Sequence, residues 1–354
     1  MHNMIEISGV KIGEDNCPLI VAEMSGNHNQ SLERALAIVE AAAESGAHAI
    51  KLQTYTADTL TIDKEDGDFY LDDPKSLWHG MSMYELYQKA HTPWEWHKVI
   101  FERAAELGLL CFSSPFDETA VDFLEELDCP CYKIGSTENT DTELLRKVAA
   151  TGKPVIISTG MATVAELGEM VGVMRDAGCK DLVLLKCTAA YPANPSDANL
   201  LTIPHMKTLL GCQIGLSDHT MGIGVAVASV ALGATIIEKH FTLSRDEGGV
   251  DSAFSMEPDE FSSLVRESKI AWQARGNIHY GTVASENSSL SRRSLYIVKD
   301  MEKGDILTRD NLRSIRPGYG LPAKYLDSLL GMAVNRNIDR GTRMSWDYVK
   351  SELD

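Results

Sequence analysis

The chain has 354 residues and a formal net charge of −18, with 33 basic against 51 acidic side chains. That length exceeds one ordinary core and fits a large barrel with an accessory domain. So acidic a balance argues against partners read through a basic face, such as nucleic acid or an anionic membrane surface.

Residues 4–11 and the turn-forming Gly13-Glu14-Asp15-Asn16 are expected to make a small hairpin that closes the bottom of the barrel. Apolar runs at 19–23, 49–54, 109–113, 131–134, 155–158, 182–187, 213–217 and 235–239 then predict eight strands. Helical patterns separate them. Ser31 caps one, with apolar positions Leu32, Ala35, Leu36 and Val39 and a stop near Gly46. Others start at Pro93 and near Ile223, and the last runs over 260–275. Eight such units over about 250 residues predict an α/β fold, a (β/α)8 TIM barrel, whose active site lies at the C-terminal ends of the strands. The insertion at 55–91, which carries Trp78, Tyr84 and Tyr87, falls at that end and reads as a lid.

Seven cysteines with no repeated Cys-x-x-Cys pair read as reduced thiols in a cytoplasmic protein. Cys129-Pro130-Cys131 is too tight for a zinc knuckle and reads as structural. The N-terminus has no basic-then-apolar leader, and no apolar run approaches the roughly 18 residues of a membrane span.

Polar residues gather at the predicted strand ends: Glu23, Lys51, Gln53, Ser114, Lys133, Ser136, Ser158, His219, Glu238 and His240. Any one of them is ordinarily a cap or a solvated tip. Their collection on a single rim is not. His219 and His240 close consecutive strands joined by one helix, so a parallel sheet sets them side by side. One histidine at such a place is ordinarily a hydrogen-bonded structural residue. A pair flanked by Asp218 and Glu238 suits a single divalent metal with open positions for a substrate oxygen. Beyond the last helix the polar stretch 284–291 reads as a linker. Short strand-like runs such as 294–298 and repeated glycine turns follow, predicting a small, mostly β second domain.

The motifs VAEMSGNHN, AIKLQTYT, FSSPFD, YKIGSTE, ISTGM, GLSDHT and IEKHFT resemble the sialic acid synthase family across the whole barrel. The tail, with RRSLY, KGDILTRDNLRSIRPGYG and GTRMSWD, resembles that family's C-terminal antifreeze-like (SAF) domain. The resemblance implies a barrel over 1–281, a linker over 282–291 and a SAF domain over 292–354. It also implies a transferase that condenses phosphoenolpyruvate with an open-chain acetamido sugar to a nine-carbon 2-keto acid. The segment GGVDSAFSMEP at 248–258 is most similar to the branch of the family that makes pseudaminic acid from 2,4-diacetamido-2,4,6-trideoxy-altrose. N-acetylneuraminate or legionaminate synthesis is the alternative.

Carried over by motif, His219 and His240 match the metal ligands, for Mn2+ or Mg2+. Lys51, Ser114, Lys133, Ser136, Ser158 and Ser217 match the phosphoenolpyruvate contacts. Glu23, Gln53, Glu238 and Asp251 match catalytic groups, with fixing the imidazole tautomers as the alternative role for Glu238 and Asp251. Tyr191 matches the sugar side, and Ala253, Phe254 and Met256 near Asp251 are candidates for an apolar sugar pocket. Arg316 matches an arginine that the small domain inserts into the partner's site, which implies a domain-swapped homodimer. Ala189 departs from the family's frequent asparagine after Cys-Thr, so one polar contact is missing or supplied elsewhere. Two readings from other classes remain at this point. One is an aldolase forming a Schiff base on Lys51 or Lys133, and the other is a non-catalytic sugar-binding protein.

Overall fold

A computed structural model describes residues 4–74, 76–286 and 288–349. The chain divides into two compact units, Met1–Gly276 and Asn277–Asp354.

The first unit opens with a hairpin of β1 (Ile5–Ile7) and β2 (Val10–Ile12), pairing Ile5 with Ile12 and Ile7 with Val10. The chain reverses at Ser8-Gly9, both with positive φ, rather than at 13–16, where Asn16 N closes a separate turn on Gly13 O. Two positive-φ residues suit the twist of a two-residue hairpin loop. Ile5, Ile7 and Ile12 are buried in one core with Leu19 and Ile236, which begin strands, so the hairpin plugs the N-terminal end of the barrel as expected.

Eight parallel strands follow: β3 (Leu19–Glu23), β4 (Ala49–Thr54), β5 (Leu110–Pro115), β6 (Tyr132–Ile134), β7 (Val155–Ser158), β8 (Leu182–Cys187), β9 (Gln213–Ser217) and β10 (Ile236–His240). They close in the order β10-β3-β4-β5-β6-β7-β8-β9, the TIM topology. Strand limits fall within two residues of the expected ones, which puts Ser114 and His240 inside strands. Gly215 is obligatory, because a Cβ there would sit 2.4 Å from Ile236 O and 2.6 Å from Leu185 Cδ2.

The helices start where their caps are written. Ser31 accepts from Arg34 N at 3.2 Å ahead of Leu32–Glu44, and Thr163 forms a capping box with Glu166 ahead of Val164–Asp176. The last helix of the unit, Pro258–Arg275, begins two residues earlier than expected because Pro258 is preorganised for the first turn. Cys129 and Cys131 lie in the core, and Cys129 Sγ donates to Cys131 O. The insertion is not one open loop: it holds the helices Ala57–Leu60 and Met83–Ala90 and a bridge between Tyr70 and Ser82.

The second unit pairs β11 (Ser294–Ile297) with β12 (Leu312–Ile315) antiparallel, around a core of Leu295, Ile297, Leu312, Val334 and Ile338. Isolated bridges such as Met301 with Ile338 and Ile306 with Ala333 extend its β character, and Ser288–Ser291 forms one helical turn. Among the described residues no helix is long and apolar enough to cross a membrane.

Candidate active site

The barrel register sets the candidate groups level with one another. Glu23 pairs with His240 on one side and Lys51 on the other, Gln53 pairs with Ser114, and Glu238 pairs with Ser217. The result is a buried cluster of two ammonium groups and two carboxylates. Lys51 Nζ lies 2.8 Å from Glu23 Oε2 and 3.4 Å from Glu238 Oε1, and donates to Ser114 Oγ at 3.3 Å. Lys133 Nζ lies 3.6 Å from Glu238 Oε1 and donates to Ile134 O. Gln53 Nε2 donates to Glu23 Oε1 at 3.0 Å, and Ser217 Oγ donates to Glu238 Oε1 at 3.3 Å. Ser136 Oγ accepts from Gly160 N, while Ser158 Oγ is buried without a hydrogen-bond partner and so remains available to a ligand.

The cluster drives its two carboxylates apart. Burial raises the Glu23 carboxyl, with Lys51 opposing and Glu238 adding to the rise. Burial also penalises ionised Glu238, but Lys133, Lys51 and His219 outweigh it and hold that group below the usual range. Lys51 shows the same contest, burial against Glu23 and Glu238, and ends above its ordinary value. Lys133 ends below its own because burial dominates. Two like groups with opposite shifts at one rim are the arrangement acid–base chemistry needs.

The two imidazoles meet as expected, with ring centroids 5.3 Å apart. His219 Nδ1 lies 2.9 Å from Thr188 O, and because a carbonyl can only accept, Nδ1 carries a proton. Burial lowers this ring, but Cys187, the Thr188 carbonyl and Glu238 outweigh it and raise the imidazole above its ordinary value. Burial holds His240 far below the ordinary imidazole range, with His219 and Lys51 adding to it, so the ring is neutral. Its Nδ1 is buried without a hydrogen-bond partner, 3.7 Å from Asp251 Oδ2. A neutral ring with an unsatisfied buried nitrogen fits a metal ligand. Among the described residues no three His, Cys, Asp or Glu converge as a closed metal site.

Asp251 is fixed from the far side by the Ser25 hydroxyl, which donates to its carboxylate. Tyr191 packs its ring 4.4 Å from His219 and 5.2 Å from Phe254, and Phe254 lies 4.9 Å from His240. Met256 does not join this wall; it is buried with Phe241 and Phe261 on the helix side of β10. Ala253 is exposed. Arg316 belongs to the second unit, where it is exposed on the turn after β12.

Four contributors escaped the sequence reading. Ser25 sits inside VAEMSGNHN two residues past Glu23, and Thr188 acts only through its carbonyl. Cys187, the last residue of β8, places Sγ 3.9 Å from His219 Nδ1. Trp78, noted only as part of the insertion, donates from Nε1 to Val250 O at 3.0 Å and packs 6.1 Å from Tyr191.

Fold and rim together define a TIM barrel that carries buried lysines and carboxylates beside a pair of histidines at one end, with a small β domain after it in sequence. The chain belongs to the NeuB family, whose model matches residues 38–280, and a SAF domain model matches residues 292–350. It is 42% identical over 340 residues to the pseudaminic acid synthase of Helicobacter pylori, covering 95% of this chain and 99% of that one. Against the N,N'-diacetyllegionaminic acid synthase of Campylobacter jejuni the identity is 36% over 324 residues, 90% and 96% of the two chains. The crystal structure of an N-acetylneuraminic acid synthetase from Leptospira borgpetersenii, in complex with citrate, superposes with a TM-score of 0.72. It is 32% identical and covers 80% of this chain and 94% of that one.

Proposed function

We propose that the chain condenses phosphoenolpyruvate with open-chain 2,4-diacetamido-2,4,6-trideoxy-altrose and water, releasing a nine-carbon 2-keto sugar acid and inorganic phosphate. The observation that carries this reading is the buried pairing of Lys51 and Lys133 with carboxylates of opposite pKa shift, level with the histidine pair. Its support from kinship is the higher identity to the pseudaminic than to the legionaminic enzyme, 42% against 36%.

Lys51 and Lys133, with the hydroxyls of Ser114, Ser136, Ser158 and Ser217, hold the phosphate and carboxylate of phosphoenolpyruvate. The enol carbon C3 forms a bond to the aldehyde carbon of the sugar, using the C2–C3 π pair, while the aldehyde oxygen takes up a proton. Positive charge then develops at C2, where the Glu23 carboxylate, oriented by Gln53, stabilises it and accepts a proton from the water that adds there. Cleavage of the C2–O bond to phosphate and loss of the new hydroxyl proton leave the ketone. Glu238, held below the usual carboxylate range, offsets the burial of both lysines. His219 and His240 would hold a divalent ion, Mn2+ or Mg2+, which supplies polarisation of the sugar's carbonyl oxygen. Asp251, held by the Ser25 hydroxyl, stands 3.7 Å from His240 Nδ1, and Tyr191 and Phe254 offer an apolar wall to the methyl and acetamido groups.

Arg316 completes the sugar site from the partner subunit of a domain-swapped homodimer. The seven free thiols support a reducing, cytoplasmic setting. Phosphate release tests the reading. Purified enzyme with Mn2+ should turn over phosphoenolpyruvate with the diacetamido sugar at a kcat/KM well above that with N-acetylmannosamine, and chelation should abolish both. A preference for N-acetylmannosamine overturns the substrate; full activity after chelation overturns the metal.

A further inference from the structure

Just outside the rim lies a second buried ion pair that the reaction above does not use. Lys239 sits between Glu238 and His240 on β10, and strand alternation turns its side chain to the opposite face. There Nζ lies 2.8 Å from Asp218 Oδ2 and donates to Thr220 O at 2.6 Å. Asp218 Oδ1 accepts from Thr220 N at 2.9 Å, and Asp218 N donates to Glu238 O at 2.9 Å. The Lys239 and Asp218 side chains are 1% and 2% exposed.

A buried pair of this kind is a poor way to gain stability, since well-packed apolar groups of similar volume often do as well. Its bonds instead tie both residues flanking His219 to the residue that precedes His240. The backbone carrying one imidazole is therefore clamped to the backbone carrying the other, on the side away from the substrate. We infer that Asp218 and Lys239 form a positioning strut, which sets the spacing of His219 and His240 for a divalent cation. This rests on the reading of the two histidines as ligands.

The test is the paired variant Asp218→Asn/Lys239→Met in the full chain. It removes both charges together, and the asparagine carbonyl still accepts from Thr220 N. Mn2+ alone is titrated into wild type and variant and followed by the electron paramagnetic resonance of the free ion, with thermal unfolding measured alongside. The strut predicts a Tm within about 4 °C of wild type and Mn2+ affinity weakened about 10- to 100-fold, with lost activity recovered by excess Mn2+. Unchanged affinity in a folded variant overturns the strut and leaves the ligand assignment standing. Wild type that fails to bind Mn2+, or binds it as well as His219→Ala does, overturns the assignment and the strut with it. If the paired variant does not fold, Lys239→Arg serves instead, because it keeps the ion pair but lengthens it. Undiminished Mn2+ affinity there also overturns the strut.

Discussion

Replacing Lys51 by methionine tests the charge cluster at its centre. Among the described residues, Lys51 Nζ alone lies within 4 Å of both carboxylates, at 2.8 Å from Glu23 and 3.4 Å from Glu238, and all three side chains are buried. Methionine fills most of the space but leaves two acids facing Lys133 alone. Breaking a buried pair from one side costs about 3–5 kcal/mol, which should appear as a lower urea midpoint for the barrel's unfolding, read by circular dichroism at pH 8. The Glu23 carboxyl, already raised by burial, rises further without its partner. A carboxyl raised in the folded state binds a proton that the unfolded chain does not, so the deficit should shrink as the pH falls from 8 toward 5.5. Adding Glu23→Gln should restore most of the loss at pH 8, because it removes the stranded charge. A wild-type midpoint for Lys51→Met, or a double variant no more stable than the single one, would rule out a stranded carboxylate as the cause.

Two buried histidines outside the candidate set should add to the acid limb of stability. Burial lowers His28 and His97 to about 4, so the unfolded chain binds more protons between pH 6.5 and 4 and stability falls across that window. At 1.36 kcal/mol per unit the loss is at most about 3 kcal/mol for each. Urea midpoints at pH 7 and 5 check it, and His97→Gln should flatten the slope. Trp78→Ala should raise the KM for the sugar roughly tenfold, about 1.4 kcal/mol, and leave that for phosphoenolpyruvate nearly unchanged. Trp78→Phe, which keeps the ring beside Tyr191 and loses only the bond to Val250 O, should fall between; equal effects on both substrates would refute a sugar-side role. Mixing Arg316→Ala with His219→Ala chains should restore part of the activity, since one site of the heterodimer unites an intact barrel with an intact arginine. No recovery from confirmed heterodimers refutes the shared site.

Much of the barrel was legible because its strands are apolar runs of three to six residues and its helices carry explicit caps such as Ser31 and Thr163. The rim was legible residue by residue, as Glu23, Lys51, Lys133 and Glu238 each interrupt or end an apolar run. Their pairing was not, because Lys51 reaches Glu238 only through closure of β10 onto β3. Met256 shows the same limit from the other side: closeness in sequence grouped it with Asp251, but the bridge from Phe241 to Met256 carries it into the outer core. The hairpin turn was misplaced since Gly13-Glu14-Asp15-Asn16 is the stronger local turn signal, whereas Ser8 adopts positive φ only because the paired strands demand it.

The β1–β2 hairpin has a kinetic consequence. With one end plugged, ligands of the proposed reaction share a single doorway. Lys51 and Lys133 sit within strands, whereas Tyr191, Phe254 and Trp78 come from segments beyond the strands' C-terminal ends. A sugar seated against those rings stands in the path of anything bound to the lysines. Traffic is then a stack, first in and last out: phosphoenolpyruvate must arrive before the sugar, and phosphate can depart only after the nine-carbon acid has cleared the rings. Phosphate should accordingly compete with phosphoenolpyruvate and not with the sugar.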